Sequence, residues 1–128
     1  MQKIFLITGT VLAGLAVALG AFGAHGLKKI ASPETVTIYQ TGVQYQMYHA
    51  LALLFVGILA EKFGGGFIHY SGLFFLGGIV LFSGSLYLIV SMQVTNKIVP
   101  TLVGIATPIG GLLFILGWAL LLIGIIKK

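Results

Sequence analysis

Four long stretches of this chain carry no charged side chain, and this feature limits the possible folds more than any other. The first covers residues 4–24, and at about 1.5 Å per residue a helix of that length crosses a hydrocarbon core of about 30 Å. Similar stretches follow at about 44–60, 68–91 and 99–126. Charged residues make up only 7% of the chain, against about 25% in a soluble domain. The sequence therefore predicts a single all-α domain, an integral membrane four-helix bundle.

The alternative interpretation of the first stretch is a cleavable signal peptide, with Lys3 as its basic start. We favour a retained span because the apolar run is longer than a usual signal core and three further spans follow. Four spans place both termini on the same side of the membrane.

The charges of the chain lie mainly between the apolar stretches. There are seven lysines, no arginine and only two acidic residues, Glu34 and Glu61. Because the lysines form no basic stripe, we predict no nucleic-acid partner. The side of the termini has Lys3, Lys62, Lys127 and Lys128, and the opposite side has Lys28, Lys29 and Lys97. By the positive-inside rule this small excess predicts cytoplasmic termini in the plasma membrane.

The one sustained polar region, between the first and second spans, contains a strong helix start. In Ser32-Pro33-Glu34, serine can cap the helix, proline suits its first position, and the dipole favours glutamate there. We predict an amphipathic interfacial helix at about 33–43, which bends or continues near Gly42 into the second span.

Small residues recur at seven-residue spacing in every span, as expected where helices cross at about +20° and pack closely in lipid. These positions predict the faces on which the helices meet, and they can instead, or also, bind a second copy of the chain or another membrane protein. They are Gly9, Ala16 and Gly23, then Ala50 and Gly57, then Gly77, Gly84 and Ser91, and finally Gly110, Gly117 and Gly124.

The alternating directions of the spans are expected to bring a group of polar side chains to the membrane face away from the termini. This cluster can lock helices together, or it can bind a lipid head group or a small polar ligand. Haem held between its two histidines is possible in principle. The second histidine, however, has Tyr and Gln neighbours, and not an obvious apolar pocket for the haem ring. The predicted cluster consists of His25, Gln44, Tyr45, Tyr48, His49 and Tyr87.

Catalysis finds little support in the sequence. The chain has no cysteine and no aspartate, and it contains no phosphate-binding loop, nucleophile elbow or His-Glu-x-x-His motif. Zinc needs three or four ligands, and the cluster offers only two histidines. We therefore predict no enzymatic activity, no metal and no cofactor.

Two segments resemble the signatures of a family of small bacterial membrane proteins. They are residues 20–27 (GAFGAHGL) and 45–54 (YQMYHALALL), and the family is known as domain of unknown function 423 or uncharacterised protein family 0382, related to eukaryotic transmembrane protein 256. Residues 82–87 and 107–111, with Gly117 and Trp118, are similar to its later helices. The resemblance covers essentially the whole chain. It implies a multi-pass plasma-membrane protein but no established activity.

Two functional hypotheses remain. The first is a non-enzymatic bundle that binds a membrane partner or a lipid. The second is a small oligomeric transporter or channel, with His25, Tyr45 and His49 lining a polar entry at one membrane face.

Overall fold

The computed structural model describes residues 2–127, which form four long helices. Each helix is long and apolar enough to cross a membrane, and the described residues form no strand. The prediction of an all-α, four-span membrane bundle is confirmed. The helices are α1 at Gln2–Ala24, α2 at Pro33–Phe63, α3 at Gly65–Val94 and α4 at Thr101–Ile126.

The segment predicted as an interfacial helix and the second span are one continuous helix, α2. Ser32 caps it, because the Ser32 hydroxyl accepts a hydrogen bond from the Thr35 N–H at 3.2 Å. Gly42 does not interrupt the helix, since it packs against Tyr87 of α3 and its carbonyl accepts a hydrogen bond from the Ser83 hydroxyl at 2.7 Å. The helix therefore continues through Gly42 into the second span and does not end there.

The antiparallel contact between α1 and α2 is close because small residues line it. Gly9, Ala16 and Gly23 are buried on α1. A Cβ atom added at Gly9 would lie 2.8 Å from the carbonyl oxygen of Ala50, and one at Gly23 would lie 2.7 Å from the ring of Tyr39. Neither backbone could approach its neighbour so closely with a side chain in between.

The contact between α3 and α4 uses the glycines of α4 and, on α3, the predicted Gly77 together with its neighbour Gly78. Gly110, Gly117 and Gly124 are all buried against α3. On α3, Gly78 is buried against Phe114, and a Cβ atom at Gly77 would lie 3.3 Å from the Leu113 side chain, whereas Gly72 is buried against Phe5 of α1. Gly84 and Ser91 are not buried.

A wider helical turn separates Gly77 from the later small residues of α3, Gly84 and Ser91. Residues Ile79–Ser83 form a π-helical turn, which inserts about one extra residue and breaks a strict seven-residue repeat. The same turn lies against Gly110 of α4, close to Pro108, the proline within that helix. Just beyond it, the Ser85 and Thr107 hydroxyls are 2.6 Å apart and bond the two helices together.

The bundle consists of two helix pairs. α1 packs chiefly on α2, α4 packs chiefly on α3, and contacts between α2 and α3 join the pairs. The main apolar core lies where the pairs meet, and α4 reaches α2 through few contacts, which leaves a groove between them. The largest of the fully buried apolar side chains are Phe5, Phe75, Leu53, Ile68 and Val56.

Replacement of Gly110 by alanine tests whether close backbone approach holds α3 and α4 together. The added methyl group would overlap the backbone at Leu81 and Phe82, so we expect the free energy of unfolding to fall by about 1–3 kcal/mol. The matched control is Gly104→Ala in the same helix, where nothing lies within 4 Å of the added atom; it should leave stability unchanged or raise it by up to about 1 kcal/mol. Reversible unfolding in mixed detergent micelles measures both, and equal effects would contradict this packing.

Candidate functional site

His49 lies near the midpoint of α2 and is almost completely buried, with 4% of its surface exposed. Its ring stacks on Phe114 of α4, with centroids 3.6 Å apart and planes 9° apart. The Trp118 indole N–H donates to its Nε2 at 3.1 Å, and its Nδ1 lies 2.8 Å from the carbonyl oxygen of Tyr45. Since that oxygen can only accept, the proton is on Nδ1. His49 is therefore a neutral imidazole whose two nitrogens are both in use.

Beside His49, aromatic rings form the walls of a groove of about 600 Å³ between α2, α3 and α4. Tyr45 packs on Phe82 with ring centroids 4.7 Å apart, and Trp118 packs edge-on against Phe75 at 4.9 Å. Tyr45 and Trp118, which both line the groove, are 38% and 47% exposed. Among the described residues, nothing forms a hydrogen bond with the Tyr45 hydroxyl. The groove thus combines flat apolar walls with one unused donor.

A second polar contact joins α1, α2 and α3. The Gln46 amide donates to the Leu12 carbonyl of α1 at 2.9 Å, and its Oε1 accepts from the Tyr87 hydroxyl of α3 at 2.7 Å. The Tyr39 hydroxyl donates to the Leu19 carbonyl at 2.7 Å.

The acceptor carbonyls of α1 are accessible because of the small residues that follow them. In an α-helix the carbonyl of residue i lies next to the N–H of residue i+4. Here the residues four positions after Leu12 and Leu19 are Ala16 and Gly23, so no bulky side chain covers either oxygen. The small positions of α1 therefore allow both close packing and hydrogen bonding from α2.

The structure divides the predicted polar cluster instead of keeping it together. Tyr45 and His49 share the groove, but Tyr87 contacts Gln46 and Tyr39 on another face of α2. His25 is exposed at the end of α1, where its Nδ1 lies 3.0 Å from the carbonyl oxygen of Ala21 in its own helix.

Helix phase and helix length explain the division. Gln44 and Tyr48 are four residues apart and therefore share one face of α2. That face points away from the other helices, and both residues are exposed. Because α2 begins at Pro33, His49 lies near mid-helix and not at the membrane face. The expected meeting of His49 with His25 is therefore not found, and nothing brings the two histidines together around a haem.

Sequence reasoning missed Gln46 and Tyr39 as residues that join helices. A usable signal was present for both, because Tyr39 and Gln46 are seven residues apart, the same spacing as Ala16 and Gly23 on the facing helix. Ser83 lies in the π-helical turn, and no pattern in the sequence predicts this turn. Trp118 was noted only as part of the resemblance.

Metal ligands do not gather anywhere in residues 2–127, where no three His, Cys, Asp or Glu side chains form a group. The groove itself contains no carboxylate. Its ionisable groups are the Tyr45 hydroxyl and the imidazole of His49, whose nitrogens are already bonded. The arrangement is thus suited to holding an apolar molecule with one polar atom.

Comparison with known proteins gives consistent matches. A family described as "Protein of unknown function (DUF423)" matches residues 19–111. The chain is 44% identical over 127 residues to "UPF0382 membrane protein YwdK" of Bacillus subtilis (strain 168), covering 98% of each chain. It is 42% identical over 126 residues to a "UPF0382 membrane protein" of Staphylococcus epidermidis (strain ATCC 12228 / FDA PCI 1200), again covering 98% of each. No solved structure matches it.

Replacement of Gln46 by leucine tests the contact among three helices. It removes two hydrogen bonds and leaves the Tyr87 hydroxyl without its acceptor, so we expect a loss of about 1–2 kcal/mol in the free energy of unfolding. The control, Gln44→Leu, changes the same residue type at an exposed position two residues away and should cost little. Unfolding in mixed micelles compares the two, and an equal loss would show that Gln46 is not a helix-joining residue.

Proposed function

We propose that this chain, which belongs to the DUF423 family of membrane proteins, is a lipid-binding bundle without enzymatic activity. The descriptions of its relatives state no activity, so the proposal is drawn from the groove. The ligand occupies the aromatic groove between α2 and α4. We expect the protein to lie in the plasma membrane, and the small excess of lysines on the side of the termini supports cytoplasmic termini.

The observation that carries this proposal is the groove itself. Its volume of about 600 Å³ falls within the range of about 300–1,000 Å³ typical of small-molecule sites. Phe82, Phe114 and Trp118 line it with aromatic rings, and Leu112 and Ile115 add apolar surface. Such walls suit a hydrocarbon chain, which offers many weak dispersion contacts and needs no polar partner.

The Tyr45 hydroxyl is a reason to expect one lipid bound in a fixed position, and not only transient contact of the groove with bulk acyl chains. Tyr45 lies one turn before His49, near the middle of α2, where bulk water is scarce. A hydroxyl left without a partner there costs free energy. An ester carbonyl or hydroxyl on the ligand would accept its proton and hold the lipid in one register.

The transport hypothesis has weaker support. Its proposed entry residues separate, with His25 exposed at the end of α1 and His49 packed between Tyr45, Phe114 and Trp118. The buried polar side chains that join helices, such as Gln46 and Ser83, already have partners. A pathway for a polar substrate would therefore need several copies of the chain.

Trp118 is the single tryptophan of the chain and lines the groove, so its fluorescence reports on occupancy directly. With phospholipids brominated on the acyl chain, we expect quenching above the level set by their fraction in the bilayer. In Gly111→Leu, whose added side chain would fill the groove beside Phe82, quenching should fall to that level. The control Gly104→Leu points into open space and should behave like the wild type. Quenching that follows the bulk fraction in all three proteins would contradict the proposal.

A flux assay separates lipid binding from transport. Liposomes containing the protein should show no more leakage of protons, ions or small polar solutes than empty liposomes. A specific flux that disappears in His25→Ala/His49→Ala, while the variant still unfolds cooperatively, would favour the transporter.

A further inference from the structure

The outward face of α2 carries polar side chains that the chain itself does not use. Gln44 and Tyr48 are both exposed there. The hydrogen bonds within residues 2–127 include neither the Gln44 amide nor the Tyr48 hydroxyl. The inward-facing Gln46, by contrast, has a partner for its amide nitrogen and another for its amide oxygen. Two hydrogen-bonding groups therefore point out of the bundle without a partner in the described part of the chain.

The depth of this part of α2 makes such exposure costly. His49 stacks on Phe114, which lies near the midpoint of α4. The Gln46 amide donates to the carbonyl of Leu12, which lies near the midpoint of α1. Gln44 is therefore close to the level at which three helices reach their midpoints, inside the hydrocarbon core. Lipid chains offer no hydrogen bond at that level, so a polar group left without a partner there costs free energy.

The same face continues along the second half of α2 as a row of apolar side chains. Leu51, Phe55 and Ile58 are all exposed. Together with Gln44 and Tyr48 they follow alternating spacings of four and three residues, which place them on one side of the helix, where a second helix can pack at a crossing angle of about +20°. This outer seam, from Gln44 to Ile58, is about 21 Å long at about 1.5 Å per residue.

The occupant that fits the outer seam is a second copy of the chain. Two copies inserted in the same direction are related by a two-fold axis along the membrane normal, which brings identical residues to identical depths. An amide contains both a donor and an acceptor, so the Gln44 amides of two copies can each donate to the other. The Tyr48 hydroxyl can likewise both donate and accept. The seam thus supplies both halves of each hydrogen bond, whereas an acyl chain supplies neither.

We propose that the chain forms a parallel homodimer through the outer seam of α2, in which the Gln44 amides of the two copies bond each other inside the membrane. The other helices show no comparable need at this depth: the exposed Thr10 hydroxyl of α1, for example, already donates to the Leu6 carbonyl of its own helix. The dimer is independent of the ligand in the groove, because neither Gln44 nor Tyr48 lines it.

The dissociation constant of the dimer tests the role of the amide. It is measured by energy transfer between labelled copies as the protein is diluted in phosphatidylcholine bilayers. In Gln44→Leu we expect the constant to rise about ten-fold, because the variant loses the reciprocal hydrogen bonds between membrane helices. The variant should still fold, since the amide has no hydrogen bond within residues 2–127. Gln44→Asn keeps an amide and should retain most of the association.

The matched control for this measurement is Thr10→Val. It removes an exposed polar group at a similar depth from α1, where the hydroxyl is already bonded within its own helix, so the dissociation constant should change less than about two-fold. An unchanged constant in Gln44→Leu would overturn the proposal. A protein that stays monomeric at every dilution would also overturn it and would leave the seam to lipid or to another membrane protein.

Disulfide formation locates the interface. The chain contains no cysteine, so a single introduced cysteine can pair only with its counterpart in another copy. Leu51→Cys, on the seam, should crosslink in oxidised bilayers about five-fold faster than Val11→Cys of α1 or Val80→Cys of α3, because a disulfide requires Cβ atoms about 3.5–4.5 Å apart. Both control positions lie near mid-helix and are more exposed than Leu51, by 61% and 68% against 44%. Equal rates at the three positions would indicate random collision and contradict a dimer through α2.

Discussion

The bundle depends on how closely its helix backbones approach one another. Lipid chains are as apolar as leucine, so burial of apolar surface cannot draw helices together inside a bilayer. Contact over a large area has to replace it, and that requires small residues at the crossing points. Within the α1–α2 pair, Gly9 lies against the backbone of Ala50. Within the α3–α4 pair, Gly110 lies against the backbone at Phe82.

Close approach also makes the polar contacts possible. Gln46 reaches a main-chain carbonyl of α1 because Ala16 leaves it uncovered. Ser83 reaches the carbonyl of Gly42 because α3 packs closely against that glycine. Each hydrogen bond between membrane helices contributes little, about 0.6 kcal/mol on average. Their value lies in specificity, since a bond at a defined height fixes how far one helix can slide along another.

Much of the fold could be read from the sequence, but the site could be read only in part. Uncharged length identified the four spans, and the Ser32-Pro33-Glu34 start of α2 was recognisable. His49 lies near mid-helix because α2 continues through Gly42, and a glycine there is ambiguous in sequence until its packing partner is known. Gln44 and Gln46 look equivalent in sequence, yet two residues turn a helix by about 200°, which places one outward and one inward. The π-helical turn at Ile79–Ser83 has no sequence signature, so the packing of Gly84 and Ser91, which follow it, could not be derived.

The pairing of the helices has a consequence for how the protein is made. α1 and α2 follow each other in the chain and form one close pair, and α3 and α4 form the other. Each hairpin can therefore complete most of its own contacts soon after it leaves the ribosome, without waiting for distant parts of the chain. The groove between α2 and α4, in contrast, exists only where the two hairpins meet, so it depends on the docking of both.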